Sequence, residues 1–190
     1  MKKIFHVLLV ACLVVLGTQV AFANSDKETL QEGADLTAVR SMAVAAPLYM
    51  QTDERAPDKA MLTKIIYDSS SVVTKYTVIS YDTIAKTFQS EKKIDIKSMN
   101  RHQAAKAFKE NLPGYADSYV VLTVANNSKT TFFFDVYQTG TNQLLYSYQI
   151  VANSGEDKTV TGYTTLCEQF YKHFERAMTD QERANAKKKK

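Results

Sequence analysis

Ser118–Val151, SYVVLTVANNSKTTFFFDVYQTGTNQLLYSYQIV, decides the fold. β-Branched and aromatic residues fill three runs, separated by Asn126-Asn127 and by Thr139-Gly140-Thr141-Asn142. Both separators accept the positive φ of a tight turn, so the spacing predicts a meander of three antiparallel strands. In the first run Val120, Leu122 and Val124 alternate with Tyr119, Val121, Thr123 and Ala125. A strand apolar on both faces belongs at the centre of a sheet, covered from both sides. In the last run Leu144, Tyr146, Tyr148 and Ile150 fall on one face.

Working outward, Ser41–Pro47 is a short apolar run that ends at proline and reads as a buried first strand. After a polar loop at Gln51–Ala56, Pro57 suits a first helical position, with Asp58 favoured by the dipole of the first turn. Met61, Leu62, Ile65, Ile66, Val72 and Val73 then recur at helical spacing. Tyr76–Ser80 is a second strand, and Ser80 or Asp82 caps a short helix whose inward residues are Ile84, Ala85 and Phe88. Beyond the charged connector Glu91–Lys97, Asn100 with Gln103 three positions later opens another helix. Its inner face is Ala104, Ala105, Phe108 and Leu112, and Pro113-Gly114 stops it. After the meander and the polar loop Asn153–Lys158, a closing helix carries Tyr163, Leu166, Cys167, Phe170, Phe174 and Ala177 on one stripe. The order is β-α-β-α-α-β-β-β-α. Early strands separated by helices argue for parallel pairing, and the meander is antiparallel. The fold class is therefore α/β (α+β): a single mixed sheet of about five strands with helices packed on it.

The N-terminus stands apart. Lys2 and Lys3 precede an apolar run from Ile4 to Leu16, and Ala21-Phe22-Ala23 is an A-x-A cleavage site. This is a secretory signal peptide over residues 1–23, its apolar run short of the roughly 20 residues a membrane span needs. Cleavage after Ala23 exports the chain to the periplasm or the medium, with no transmembrane span left. Leu9-Val10-Ala11-Cys12 is a loose lipobox, and lipidation at Cys12 is the lesser alternative. Residues 24–40 read as a polar leader, 41–179 as a single domain and 180–190 as a polar, lysine-rich tail. The formal net charge of +4 comes from the lysines at the two ends, Lys2, Lys3 and Lys187–Lys190. The body is near neutral and lacks the clustered basic face of a nucleic-acid binder. Cys167 is the one cysteine left after processing, so no disulfide within the chain is available and packing must hold the fold.

Tyr76–Ser80 (YTVIS), Ala116–Leu122 (ADSYVVL), Phe134–Tyr137 (FDVY) with Thr139-Gly140, and Leu144–Ser147 (LLYS) carry a family resemblance. They are similar to uncharacterised exported bacterial envelope proteins. They also resemble the α/β domain shared by the TolB N-terminal region and the curli-secretion lipoprotein family, over about Ser41 to Ala177. The resemblance implies that fold and a role in envelope interaction or assembly. Those domains often place a glycine after the apolar residues of the first meander strand; here Leu122 and Thr123 stand instead. The chain lacks a convincing lipobox too, so neither membrane anchoring nor pore assembly carries over.

Chemistry is thin. His102 and His173 lie on different helices with no partner at ligand spacing, which reads as two surface histidines rather than a zinc site. No G-x-S-x-G, Walker loop or G-x-G-x-x-G is present, and no catalytic, cofactor-binding or metal-ligating residue is assigned. Cys167 falls in the apolar stripe and reads as a small buried hydrophobe rather than a nucleophile. Asn126-Asn127-Ser128 is a formal glycosylation sequon that reads as a turn. Asp135 is the residue of most interest, because a carboxylate beside Phe132-Phe133-Phe134 is costly unless bonded or wet. It is either a site residue or a carboxylate that bonds the Gly140 turn or faces water. With Tyr137, Tyr146 and Tyr148 it makes the candidate binding surface; cross-strand core packing is the plainer reading of those tyrosines. Lys187–Lys190 could touch an anionic surface weakly.

The expected function is that of a non-enzymatic envelope protein that binds another envelope protein, as an interaction or assembly accessory domain. The alternative is a small-ligand carrier with an aromatic pocket around Tyr137, Tyr146 and Asp135. A hydrolase is a distant third.

Overall fold

A computed structural model describes residues 26–51, 53–153 and 158–188. The signal peptide, the cleavage site and Cys12 lie outside the described residues. The fold is α/β: one mixed sheet with helices on it. The meander forms as its spacing predicts, with β5 (Ser118–Asn126), β6 (Thr130–Gln138) and β7 (Leu144–Val151) antiparallel in sequence. The early strands β2 (Ser41–Val44) and β4 (Thr77–Ile79) are parallel to one another, and β2 is parallel to β5.

Among the described residues the sheet has seven strands rather than about five. One addition is β3 (Leu48–Gln51), which follows β2 after Pro47 and pairs in parallel with the far half of β5. The other is β1 (Lys27–Leu30), which comes from the segment expected to be a leader and pairs antiparallel with β7. Its four residues are all exposed, so no hydrophobic pattern announces it. The path across the sheet is β1-β7-β6-β5-β2-β4, with β3 beside β5.

Among the described residues four helices flank it: α1 (Lys59–Asp68), α2 (Tyr81–Thr87), α3 (Arg101–Asn111) and α4 (Val160–Lys188). Caps decide where three of them start. Asp58 accepts from the Met61 amide at 2.7 Å, Ser80 from Thr83 at 3.0 Å and Asn100 from Gln103 at 3.0 Å. Asp58 is thus the N-cap of α1 and Pro57 lies one position outside the helix. Val72 and Val73 sit in and after a 3-10 turn over Ser69–Val72. On α3 the inner face uses Ala107 with Phe108 and Leu112, while Ala105 points to solvent. The segment read as a polar, lysine-rich tail is helical through Lys188, in keeping with the helix propensity of its Gln, Glu, Arg, Ala and Lys.

Two cores form, one on each face. The larger lies under α1 and α4 and takes Met42, Val44, Val120, Leu122, Phe132, Phe134, Tyr146 and Tyr148 from the strands. Phe134 stacks on Phe170 of α4 at 4.3 Å and 4°, and Phe132 meets Tyr163 edge-on at 4.7 Å. Tyr171 and Met178 of α4 join the expected stripe. The smaller core lies under α2 and α3 and takes Ala43, Ala45 and Tyr119. The alanines on β2 let these helices approach closely.

Two polar clasps tie the ends together. Asp117 Oδ2 accepts from the amides of Arg40 and Ser41 at 2.9 Å each and from Ser41 Oγ at 3.0 Å, fixing β2 against β5. Gln181 on α4 accepts from Leu36 N at 2.7 Å and donates to Ala34 O at 2.6 Å.

Candidate interaction surface

On β6 the side chains alternate strictly, with Phe132, Phe134 and Val136 buried and Thr131, Phe133, Asp135 and Tyr137 half-buried. The second set faces the α2–α3 side. There the small core reaches Tyr119 and Val121 on β5 and stops at Tyr137 on β6. No residue of β7 and no other residue of β6 belongs to it among the described residues. The helices on this face therefore cover one half of the sheet and leave a strip across the other.

The strip's composition follows from the register. Phe133 lies between Thr123 and Gln149, Asp135 between Val121 and Ser147, and Thr131 opposite Val151. Lys27 and Thr29 of β1 extend the same rows beyond Gln149 and Ser147. On the other side Leu48 of β3 pairs with Thr123. An aromatic centre ringed by short polar side chains is the make-up of a protein-binding patch, apolar in the middle and able to hydrogen-bond at the rim.

Asp135 bonds neither the Gly140 turn nor the core. Its Oδ1 accepts from Ser147 Oγ at 2.6 Å across to β7. A cross-strand hydroxyl answers one oxygen, and the half-exposed position wets the rest. Tyr137 stacks on Tyr119 at 5.2 Å and 19°, and Lys109 Nζ sits 6.0 and 5.8 Å over the two rings. Burial, and then the nearby charge of Asp135, pushes the Tyr137 phenol up. Tyr119, held by a 2.8 Å hydrogen bond to Asn142 Oδ1, is pushed up to about 12, mainly by burial.

Tyr146 and Tyr148 are elsewhere. Each is 1% exposed in the larger core, on the opposite face from Asp135 and Tyr137. The four residues singled out from the sequence therefore fall two and two, with the sheet between them. Burial, followed by a neighbouring carboxylate, raises both buried phenols well above their ordinary range. Those carboxylates lie on β1, at Glu28, and just before it, at Asp26. Tyr146 donates to Glu28 Oε2 at 3.0 Å and Tyr148 to Asp26 Oδ2 at 3.1 Å.

This β1 network also draws in two residues of α4 that no motif around β1 joins to it. His173 of α4 stacks on Tyr148 at 4.7 Å, with Nδ1 3.1 Å from Glu28 and Nε2 3.5 Å from Asp26. Arg176 donates to Glu28 at 3.2 Å. Burial raises the Glu28 carboxyl, but hydrogen bonds from His173 and Tyr146 and the charges of Arg176 and His173 outweigh it and hold it below 4.5. The cluster adds side-chain anchors to a strand whose backbone is held by its ladder to β7. Nothing in local sequence links Glu28 to His173; a histidine and an arginine one turn apart on α4 were the only signal.

Cys167 is fully buried, and burial drives its thiol well above its ordinary range, which leaves it inert as a nucleophile at neutral pH. No group of three His, Cys, Asp or Glu side chains among the described residues is placed to hold a metal ion. No helix among them is long and apolar enough to cross a membrane.

No protein-family model and no curated protein matches this sequence. Solved structures with a similar arrangement include the LpoB C-terminal domain from Escherichia coli, 14% identical, TM-score 0.48, covering 62% of this chain and 84% of that one. The PelC dodecamer from Paraburkholderia phytofirmans is 9% identical, TM-score 0.44, covering 76% and 93%. A hypothetical protein from Chlamydia trachomatis is 13% identical, TM-score 0.35, covering 75% and 94%. With TM-scores under 0.5, these likenesses carry no argument about partners or activity.

Proposed function

We propose that the chain is an exported, non-enzymatic protein of the cell envelope that works by binding another envelope protein through the open strip of its sheet. The observation that carries this reading is the half-covered second face, centred on Phe133. Helices dry and fill one half of that face. The other half presents an aromatic side chain among Thr123, Thr131, Asp135, Ser147 and Gln149. A partner laid across it gains apolar burial at Phe133 and finds hydrogen-bonding groups on either side. The signal peptide, with cleavage after Ala23, and the resemblance to exported envelope domains supply the compartment.

The carrier reading needs Asp135, Tyr137 and Tyr146 around one pocket. Tyr146 lies across the sheet from the other two and is sealed under α4, so that pocket does not assemble.

Photo-crosslinking in intact envelopes tests the proposal. With benzoylphenylalanine in place of Gln149, beside Phe133, one reproducible protein adduct is expected, competed by excess purified wild-type chain. The same label in place of Glu168, on the far side, is expected to give none. Equal adducts from both positions, or none from position 149, would sink it.

A further inference from the structure

The sheet has a second opening at the end of β5. Among the described residues β3 has one ladder partner, β5, so its outer edge carries backbone N–H and C=O groups outside any strand ladder. A groove of about 480 Å³ runs beside that edge. Its apolar wall is Pro47, Leu48, Tyr49, Ala56 and Pro57. Its ends are the first turns of α1 and α3, one helix from each face of the sheet, which bring Lys59 and Arg101 to the rim. Tyr49 fixes the far wall by donating to Pro57 O at 2.6 Å. Met50, at the register shift between Tyr49 and Gln51, is 71% exposed.

The charges select the occupant. Three acids line the groove, and two are already engaged. Asp53 pairs with Arg55 and Lys158 at 3.0 Å each, and Asp58 caps α1 through the Met61 amide. Arg101 and Lys59 make no ion pair or side-chain hydrogen bond with any described residue. Asp58 keeps its charge as a cap; with Arg55 and Lys158 counted beside Lys59 and Arg101, four cations stand against the three acids Asp53, Glu54 and Asp58. An open strand edge, an apolar wall and surplus positive charge meet in one place.

We propose that this groove receives an extended, acidic peptide segment of a partner protein. It would add as a strand to β3, set an apolar side chain against Pro47 and Leu48, and offer a carboxylate to Arg101. Strand addition draws affinity from main-chain hydrogen bonds and selectivity from alternate side chains. Here the guanidinium supplies the selective step, because it binds carboxylates in a fixed two-pronged geometry. The groove adjoins the Phe133 strip at Leu48, but Arg101 and the outer edge of β3 lie outside that strip, so the two surfaces are tested by different residues.

Fluorescence anisotropy with the mature chain tests it. The probes are labelled seven-residue peptides of alternating Val and Thr ending in Asp, each made with a free C-terminal carboxylate and as the amide, and the same peptides ending in Lys. The Asp peptides should bind saturably and the Lys peptides at least tenfold more weakly. Comparing carboxylate with amide assigns the contact to the terminus or to the side chain. Arg101→Glu should invert the Asp-over-Lys preference. Amide exchange at Leu48–Gln51 should slow on binding, while that of Thr131–Val151 stays unchanged. No saturable binding by any probe, a preference unmoved by Arg101→Glu, or protection appearing on the Phe133 strip instead would each overturn the proposal.

Discussion

The two faces of β6 are built from neighbouring residues and do different work. Phe134 is fully buried and stacked on Phe170; Phe133, one position away, lies outside both cores. Only the pleat separates them. Coverage therefore tells more about a sheet residue than its type does. Under α4 an aromatic side chain contributes stability, and on the open strip the same side chain is free to contribute binding.

The sharpest way to break that contrast is to truncate both rings. Phe134→Ala empties the space between β6 and α4 and should cost about 3–5 kcal/mol, as large-to-small core changes do. Phe133→Ala should cost under about 1 kcal/mol, since that ring is partly exposed and lies outside both cores. Urea denaturation of both variants measures the difference.

A smaller effect is expected at Asn126, a buried amide beside the larger core. Asn126 Oδ1 accepts from Tyr163 OH at 3.1 Å and from Thr130 Oγ1 at 2.9 Å. Asn126→Ala leaves both hydroxyls without that acceptor and should cost about 2 kcal/mol. A change below about 0.5 kcal/mol would show that the packed face does not depend on this network.

The β1 edge sharpens the comparison through pH. The Glu28 carboxyl is held below its ordinary 4.5 in the folded chain, so its ionised form favours the docked strand. That contribution is complete above pH 4.5 and is lost as pH falls through the lowered folded value. Protection factors of the Lys27–Leu30 amides should drop in that acid range while those of Phe132–Val136 hold. Glu28→Gln should remove the pH dependence.

The smallest effect is at Tyr171, whose hydroxyl is buried without a hydrogen-bond partner among the described residues. Tyr171→Phe should be neutral or stabilise by up to about 1 kcal/mol, read from the denaturation midpoint.

Much of the scaffold could be read from the chain because its signals are local. The alternation in β5–β7, the caps at Ser80 and Asn100 and the Gly140 turn each depend on a few adjacent residues. The same locality explains the misreadings. β1 has no inward apolar pattern and is a strand because carboxylates at 26 and 28 meet His173 and Arg176 on α4. Asn126-Asn127 suggested positive φ, yet the left-handed asparagine is Asn142, φ 55°. Asn126 instead serves as a buried acceptor for a tyrosine far along the chain. The candidate surface was legible only in part. Periodicity put Tyr146, Tyr148 and Ile150 on one face correctly, but it cannot say which face a helix will cover. Asp135 and Tyr137 stayed at the surface and the other two tyrosines did not, because α4 closes over only one side. A register shift between β6 and β7 also turns Leu145 into the larger core. The groove beside β3 was not visible at all, because Pro47, Pro57 and Arg101 come from three separate elements.

The most direct test pairs two readings on Phe133→Ala carrying benzoylphenylalanine at position 149. The expected result is an unfolding free energy within about 1 kcal/mol of the labelled parent, together with loss of the partner adduct. An adduct retained at full yield would contradict the binding role of the strip. A fall in stability matching that of Phe134→Ala would contradict the division of work between the two faces.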